Sequence, residues 1–420
     1  MAAYSTTTLR TRYHDALVDW QKKNFPEMEI LMKYWDKYFP GQTPFQLVAK
    51  VGNLKSDTIE FGKFAGQKRF EQAGDMVGNM FYSARDIIKA QCSTELGSIQ
   101  QHRMTLESAI SDEAKFAMLR VQAEELRHAY QMFWVLEHDQ SWKKPGHGDV
   151  AEETIEQLLS MELGSHVLDA FNIEFNRFLD NVMFTAVIDL VGKYQLDMQK
   201  VFSYGPVARS MGPMFSEEGF HLGTGRKFLK EIAVNATRGE GEYSINDIQQ
   251  VINQWYPRGL EMFGNEHGGE TSVTFGFKDR TNGQAQSEYI REVKGIIDNT
   301  NVAILQVLSP GIAADEAIKL ADEATSTGST VRGIKPEQLV FLPARNFFRK
   351  RGPEEVIFKP VDLQGATITQ DGKPLDTTAY LNYLRTVLPT GFTQSREFGK
   401  YADQLHNAHS TVMSYGYGLN

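Results

Sequence analysis

Cysteine is nearly absent: Cys92 is the only one in 420 residues. No disulfide can close within the chain, and no thiolate cage for zinc or an iron–sulfur cluster can be built from it. That scarcity suits a reducing, cytoplasmic setting. Long apolar runs are missing as well. The most apolar stretch, Val182 to Gly192, is about half of what a bilayer span needs, and Asp189 interrupts it. Met1 to Trp20 carries His14, Asp15 and Asp19 where a leader peptide would need an unbroken apolar core. The expectation is a soluble protein that does not engage a membrane. Positive charge is not in excess either. With 44 Lys+Arg against 53 Asp+Glu the net charge is −9, which argues against a surface given over to nucleic acid and leaves room only for a local basic patch. Hydrophobic and charged fractions of 41% and 23% are those of a globular chain, so disorder and fibrous repeats are excluded as the main description.

What is present is helical periodicity. From near Pro26 to about Lys230, apolar residues recur at three- and four-residue spacing with little Gly/Pro punctuation. The pattern predicts one long helix over 73–110 and an N-cap at Ser111, with Asp112 and Glu113 in the first turn of the next helix. That second helix should run to about Gln140, where Pro145-Gly146-His147-Gly148 breaks it. A third helical segment over 150–202, with a kink near Gly164, and a fourth from Gly205 to about Ala236 follow. Helices are expected again over 245–263 and 288–308, and an Asp371-Gly372 hairpin signal sits within a β-branched stretch over 356–375. The predicted class is mainly α: a ferritin-like four-helix bundle with extra helices and a small C-terminal α+β elaboration. Three segments are expected, an N-terminal helical extension (1–72), the bundle (73–238) and the elaboration (239–420).

Two of the ten histidines have a glutamate three positions earlier, Glu125-x-x-His128 and Glu218-x-x-His221. Three residues is about one helical turn, so each carboxylate and imidazole project from one face, as gripping a metal ion requires. Such pairs arise easily by chance; Asp403-x-x-His406 is a near match. The positions of other carboxylates carry more weight. Glu95 lies 16 residues before Ser111 and Glu125 lies 14 after it. In an antiparallel hairpin the two share a level about 22 Å from the turn. Asp189 and Glu218 flank Gly205 in the same way, 16 before and 13 after. Two hairpins thus each set a carboxylate opposite a Glu-x-x-His pair, the pattern of di-iron and di-manganese carboxylate bundles. The candidate metal ligands are Glu95, Glu125, His128, Asp189, Glu218 and His221. Oxygen and imidazole donors without thiolate suit two iron ions, with manganese also admitted. Gln91 and Thr185 each fall one turn before a candidate carboxylate and are expected to support the ligands by hydrogen bonds.

At these residues the chain resembles the catalytic subunit family of benzoyl-CoA 2,3-epoxidases, ferritin-like di-iron oxygenases. The matching stretches are Gln91-Cys92-Ser93-Thr94-Glu95, Glu124-Glu125-Leu126-Arg127-His128, the run from Met183 to Leu196, and Glu217-Glu218-Gly219-Phe220-His221-Leu222. That family carries Asp where this chain has Asp189. The resemblance covers about 73–230, and it implies that the same six residues hold iron. It also implies an oxygenase that uses O2 to epoxidise the ring of an aromatic acyl-CoA, with electrons from a separate NAD(P)H-dependent reductase. A phenylacetyl-CoA epoxidase-like enzyme and an N-oxygenase share the bundle logic. An iron-storing ferritin and an inactive scaffold subunit are the readings of other classes. Aromatic residues near the ligands, Phe81, Tyr82, Phe184, Phe215 and Phe220, could line a substrate pocket. A CoA ester needs cations for its phosphates; the densest cluster in the sequence is Arg345, Arg349, Lys350 and Arg351, which could serve that end or reductase docking.

Overall fold

Helices dominate the computed structural model, which describes residues 7–144 and 148–415. Sheet is confined to two-stranded antiparallel pairs of two or three residues per strand. The mainly α class is as expected. The break expected at Pro145-Gly146-His147 lies outside the described residues. Among the described residues no helix is long and apolar enough to cross a membrane.

The described residues fall into two compact units. The first takes the chain through Phe178, with Gly192–His221 and Gly269–Thr281. The second takes Leu179–Val191, Leu222–Gly268 and the chain from Asn282 onward.

In the first unit, helices Met80–Arg103 and Asp112–Glu137 form an antiparallel hairpin. The first is shorter than expected at both ends. Gly78 takes φ +56°, a left-handed conformation that keeps the preceding residues out of the helix, and a 3₁₀ turn at Leu106–Ser108 replaces its last stretch. Ser111 caps the second helix as expected, its hydroxyl accepting from Ala114 N at 3.1 Å. From Val121 to Leu136 every residue of that helix is buried, charged ones included. The segment over 150–178 is not a continuous helix. It stops at Leu159, and Gly164 (φ +89°) turns the chain into a loop. The Asn172 side chain closes that loop on the backbone of His166 with two bonds of 2.7 Å.

A third helix, Gly205–Arg238, contributes its first half to this unit and contains Pro213. Proline has no N–H, so the Arg209 carbonyl loses its helical donor. The Gly52 N–H supplies the missing bond at 3.0 Å, from the end of the strand Ala49–Val51, which pairs with Thr7–Leu9. A Cβ on Gly52 would stand 3.4 Å from both Arg209 O and Pro213 Cδ, so a larger residue would crowd this repair.

In the second unit the helix Phe178–Met183 passes into one π-helical turn, Phe184–Ile188, and an α-helix resumes at Asp189. Backing that turn is Gly225, where an added Cβ would meet Ala186 N at 2.5 Å. Trp255, from the helix Ile245–Met262, packs edge-on against Phe184 and donates from Nε1 to Asp180 at 3.0 Å. Helices Asn282–Leu308, Ala314–Thr327, Thr377–Val387 and Arg396–Tyr415 complete this unit. The expected hairpin is there but small: Thr369–Gln370 pairs with Lys373–Pro374 across Asp371 and Gly372, whose φ of +53° and +75° suit a primed turn. Upstream of it, residues 356–368 hold one bridge, Val361 to Thr367, and no strand.

Candidate metal centre

Register fixes what the hairpin in the first unit can bring together. The Cys92 thiol reaches the Ala129 carbonyl, Glu95 faces His128, and the Ser98 hydroxyl donates to Glu125. Glu95 is therefore level with His128 and lies one turn away from the expected level of Glu125. The cause is the turn: the first helix ends at Arg103, and the extended 3₁₀ link shifts the register by three residues.

The two Glu-x-x-His pairs meet in this unit. His128 and His221 are fully buried, with ring centroids 5.8 Å apart. The Nδ1 of His128 looks at Glu95 Oε2 (3.3 Å) and Glu218 Oε1 (3.7 Å). The Nδ1 of His221 looks at Glu218 Oε2 (3.4 Å) and Glu125 Oε1 (3.7 Å). Glu218 thus turns one oxygen to each imidazole. The Nδ1 of His128 and the Oε2 of Glu218 make no hydrogen bond in this geometry. The two shorter separations match the distance between neighbouring donors on one cation, about 3.0–3.4 Å for metal–ligand bonds near 2.1 Å at 90–109°, and the two at 3.7 Å are slightly longer. The first candidate position has Glu95, His128 and one oxygen of Glu218; the second has Glu125, His221 and the other.

The opposite nitrogens show how the rings are aimed. His128 Nε2 bonds Glu217 Oε2 at 3.0 Å, and His221 Nε2 bonds Glu124 Oε2 at 3.1 Å. Each anchoring carboxylate immediately precedes the candidate ligand of the other helix, and each is pinned by cations. Arg127 forks onto Glu217 (Nε at 2.9 and 2.7 Å) with Lys50 Nζ at 2.6 Å, while Arg120 Nε holds Glu124 at 2.9 Å. An Nε2–H donated to a fixed carboxylate leaves Nδ1 as the lone-pair side, the tautomer a metal ligand needs. Glu124 and Glu217 were given no role from sequence. Their signal was the doubled glutamate, Glu124-Glu125 and Glu217-Glu218, at both motifs.

In the metal-free chain the surrounding carboxylates instead favour the protonated imidazoles, and a bound cation would displace the Nδ1 proton. Burial alone would lower the His128 pKa, but Glu95 and Glu217 outweigh it and raise it to about 9. His221 is driven up against its burial by Glu218 and Glu124. Burial would raise Glu217, yet Arg127 and His128 hold it far below the usual carboxylate range. No lysine or arginine among the described residues pairs with Glu95 or Glu218, so their buried charge is answered by imidazole alone. A bound divalent cation would supply that charge. The neighbouring thiol does not compete, because burial pushes Cys92 well above its ordinary pKa and keeps it neutral. His102, buried two turns beyond Glu95, brings a ring nitrogen within 4.8 Å of a Glu125 oxygen and is a further imidazole that sequence reading passed over.

The remaining expected residues are placed as follows. Asp189 lies in the second unit, 7% exposed, where the α-helix resumes after the π-turn. In that unit Thr185 donates its hydroxyl to the Asn181 carbonyl one turn back, a backbone use of its side chain. Gln91, in the first unit, is on the Met80–Arg103 helix. Of the aromatic residues, Phe220 lies beneath the Arg120 guanidinium (3.8 Å) and Phe215 beneath Lys200 (3.3 Å), while Phe81 packs on Trp142. In the cluster expected to take CoA phosphates or dock a reductase, Arg349 does not suit the first role. Arg349 is 1% exposed and has all five donors engaged: Glu266 twice, Arg351 O twice and Arg345 O once. It has no hydrogen left for a phosphate. Arg345 pairs with Glu266 as well, and the backbone N–H groups of Lys350 and Arg351 bond Glu261.

What the geometry defines is a buried cluster of carboxylate and imidazole donors, set on the hairpin and on the first half of the Gly205–Arg238 helix, of a kind that could hold metal. No protein-family model matches the chain. Among curated proteins it is similar to benzoyl-CoA oxygenase component B of Aromatoleum evansii, 27% identical over 238 residues, or 53% of this chain and 49% of that protein. The chain spans about half the length of the curated relative it matches. The similarity is longer than the 73–230 stretch whose motifs carry the resemblance, and it points to the same family.

Proposed function

We propose that the chain is the oxygen-activating subunit of a multicomponent oxygenase. It would hold two iron ions through Glu95, Glu125, His128, Asp189, Glu218 and His221, and insert one O2-derived oxygen into the ring of an aromatic acyl-CoA. Benzoyl-CoA, converted to the 2,3-epoxide, is the substrate of choice. The observation that carries the reading is the reciprocal arrangement of the two Glu-Glu-x-x-His motifs, with Nε2 of each imidazole anchored and Nδ1 turned to carboxylates. The similarity to a protein named as an oxygenase component supports it. Asp189 enters on its sequence position and on the π-helical turn before it, a distortion frequent at functional sites.

Reduced iron in such a site supplies electrons and an O2-binding position. The chain's part is to orient both imidazoles through Glu124 and Glu217, and to fix those carboxylates in place with Arg120, Arg127 and Lys50. Buried Leu126, Ala129 and Met214 on the same helices keep bulk water from the ligands. One cysteine cannot hold an iron–sulfur relay, and the reading takes the electrons from a separate NAD(P)H-dependent reductase, as the resemblance implies, in a cytoplasmic setting. Manganese fits the same donors.

The test loads the protein with Fe(II) and measures reductase-dependent O2 uptake with benzoyl-CoA, phenylacetyl-CoA and a free aryl amine. Stimulation by benzoyl-CoA with ring-oxygenated product is expected. Uptake stimulated by none of the aromatic CoA esters in fully iron-loaded protein would defeat the substrate assignment.

A further inference from the structure

The helix that carries Glu218 and His221 continues, and its next turns bear Arg226, Lys227 and Lys230. Within the second unit these face the Asn282–Leu308 helix across a groove of about 570 Å³. Three cations line it against one carboxylate, Glu292, which bonds Arg226 at 2.6 Å. Lys227 and Lys230 are exposed, and no carboxylate among the described residues pairs with Lys230. The Arg226 Nε is shielded from solvent and has no acceptor. A positive groove is an outlier on a chain of net charge −9.

Two glycines open it, Gly223 on one helix and Gly295 on the other. Each weakens its helix by about 1 kcal/mol relative to alanine. Neither has a positive φ, and an added Cβ would meet nothing within 4 Å at either position. Backbone geometry and packing therefore do not require glycine there. What the two residues provide is room.

We propose that this groove binds the phosphates of the CoA moiety, with Lys227, Lys230 and Arg226 as charge partners and the glycines admitting the pyrophosphate against the helix faces. The inference rests on the acyl-CoA reading and puts the phosphate contacts here, away from Arg349. Primary ammonium and guanidinium groups are the donors that phosphate oxygens recognise.

Titration calorimetry on the iron-loaded full chain tests it, with free CoA, adenosine 3′,5′-bisphosphate and inorganic pyrophosphate as probes. The variants are Lys227→Gln/Lys230→Gln, the charge-keeping Lys227→Arg/Lys230→Arg, and Gly295→Leu, which fills the groove where nothing obstructs a side chain. In the double Gln variant and in Gly295→Leu the CoA Kd should weaken about tenfold or more, and KM for benzoyl-CoA should rise alike with kcat little changed. The Arg variant should restore binding, and iron content should stay at the wild-type level throughout. Wild-type CoA affinity kept within about twofold in both disabling variants would overturn the groove and leave the acyl-CoA reading standing. Pyrophosphate binding lost in the variants, in a protein that never binds CoA, would overturn the CoA assignment and the acyl-CoA reading together.

Discussion

Two buried clusters of charge, one in each unit, differ in how their charges are met. In the second unit Arg349, Glu266, Arg258 and Glu261 pair directly, guanidinium to carboxylate, with Arg258 Nε, Glu261 Oε2 and Glu266 Oε2 left buried without a hydrogen bond. Arg349 spends every donor, Arg258 reaches Glu261 at 3.1 Å and the Phe348 carbonyl, and Glu261 also takes two backbone N–H groups. In the first unit only the outer carboxylates, Glu124 and Glu217, are paired in this way. The inner atoms face one another at 3.3–3.7 Å, Nδ1 against carboxylate, and the Nδ1 of His128 and the Oε2 of Glu218 make no hydrogen bond. Carboxylates paired directly with guanidinium groups make a clamp. Carboxylates that face imidazole instead, behind locked outer partners, have the arrangement a cation site requires. Burial alone does not separate the two; the identity of each carboxylate's partner does.

The strongest way to break this contrast is at Glu218, which turns an oxygen to both imidazoles. Glu218→Ala should abolish high-affinity iron binding at one position at least and lower O2-dependent turnover about a hundredfold or more, read by metal analysis and oxygen uptake. Arg349→Ala should do the reverse. Breaking a buried ion pair costs about 3–5 kcal/mol, so urea unfolding should shift strongly while the iron content of the folded fraction is retained. Loss of iron with intact stability in Arg349→Ala would erase the distinction.

Smaller effects sharpen it. Glu217→Gln keeps the size of the anchor but loses its charge, and should weaken iron binding about tenfold to a hundredfold with the fold intact. Gly225→Ala tests the π-turn. In an ordinary helix that change stabilises by about 1 kcal/mol, but here the new Cβ would lie 2.5 Å from Ala186 N, so a loss of about 1–3 kcal/mol is expected in thermal unfolding. His166 is the buried imidazole outside the centre. Burial lowers its pKa to about 4, and its Nδ1 accepts from Leu168 N at 2.9 Å. The unfolded chain takes up that proton near pH 6.5 and the folded chain resists it until about 4, so its contribution is full above 6.5 and is lost as pH falls between the two. Urea unfolding at pH 7, 5.5 and 4.5 should show His166→Asn losing less stability than wild type, by roughly 2–3 kcal/mol across that range.

Much of the centre was legible because a helix converts sequence spacing into a face. Glu125 with His128, Glu218 with His221, and the Ser111 cap could all be read from three-residue intervals and a hairpin. The level of Glu95 was off by one turn because its helix ends at Arg103 in a 3₁₀ link, which helical periodicity does not register. The roles of Glu124 and Glu217 were hidden for another reason: their partners lie on the opposite helix, about ninety residues away. Arg349 misled because, in sequence, a buried cation paired with Glu266 looks the same as its exposed neighbours Arg345 and Arg351. The loop over 160–177 escaped because its closure depends on one side chain, Asn172, folding back on His166.

The most direct measurement is Fe(II) titration of the metal-free chain, in wild type and in His128→Ala, His221→Ala and the double variant, read by metal analysis after desalting. Two ions per chain in wild type, fewer in each single variant and none in the double are expected. Wild-type protein that retains no iron, or a double variant that retains as much as wild type, would contradict the centre.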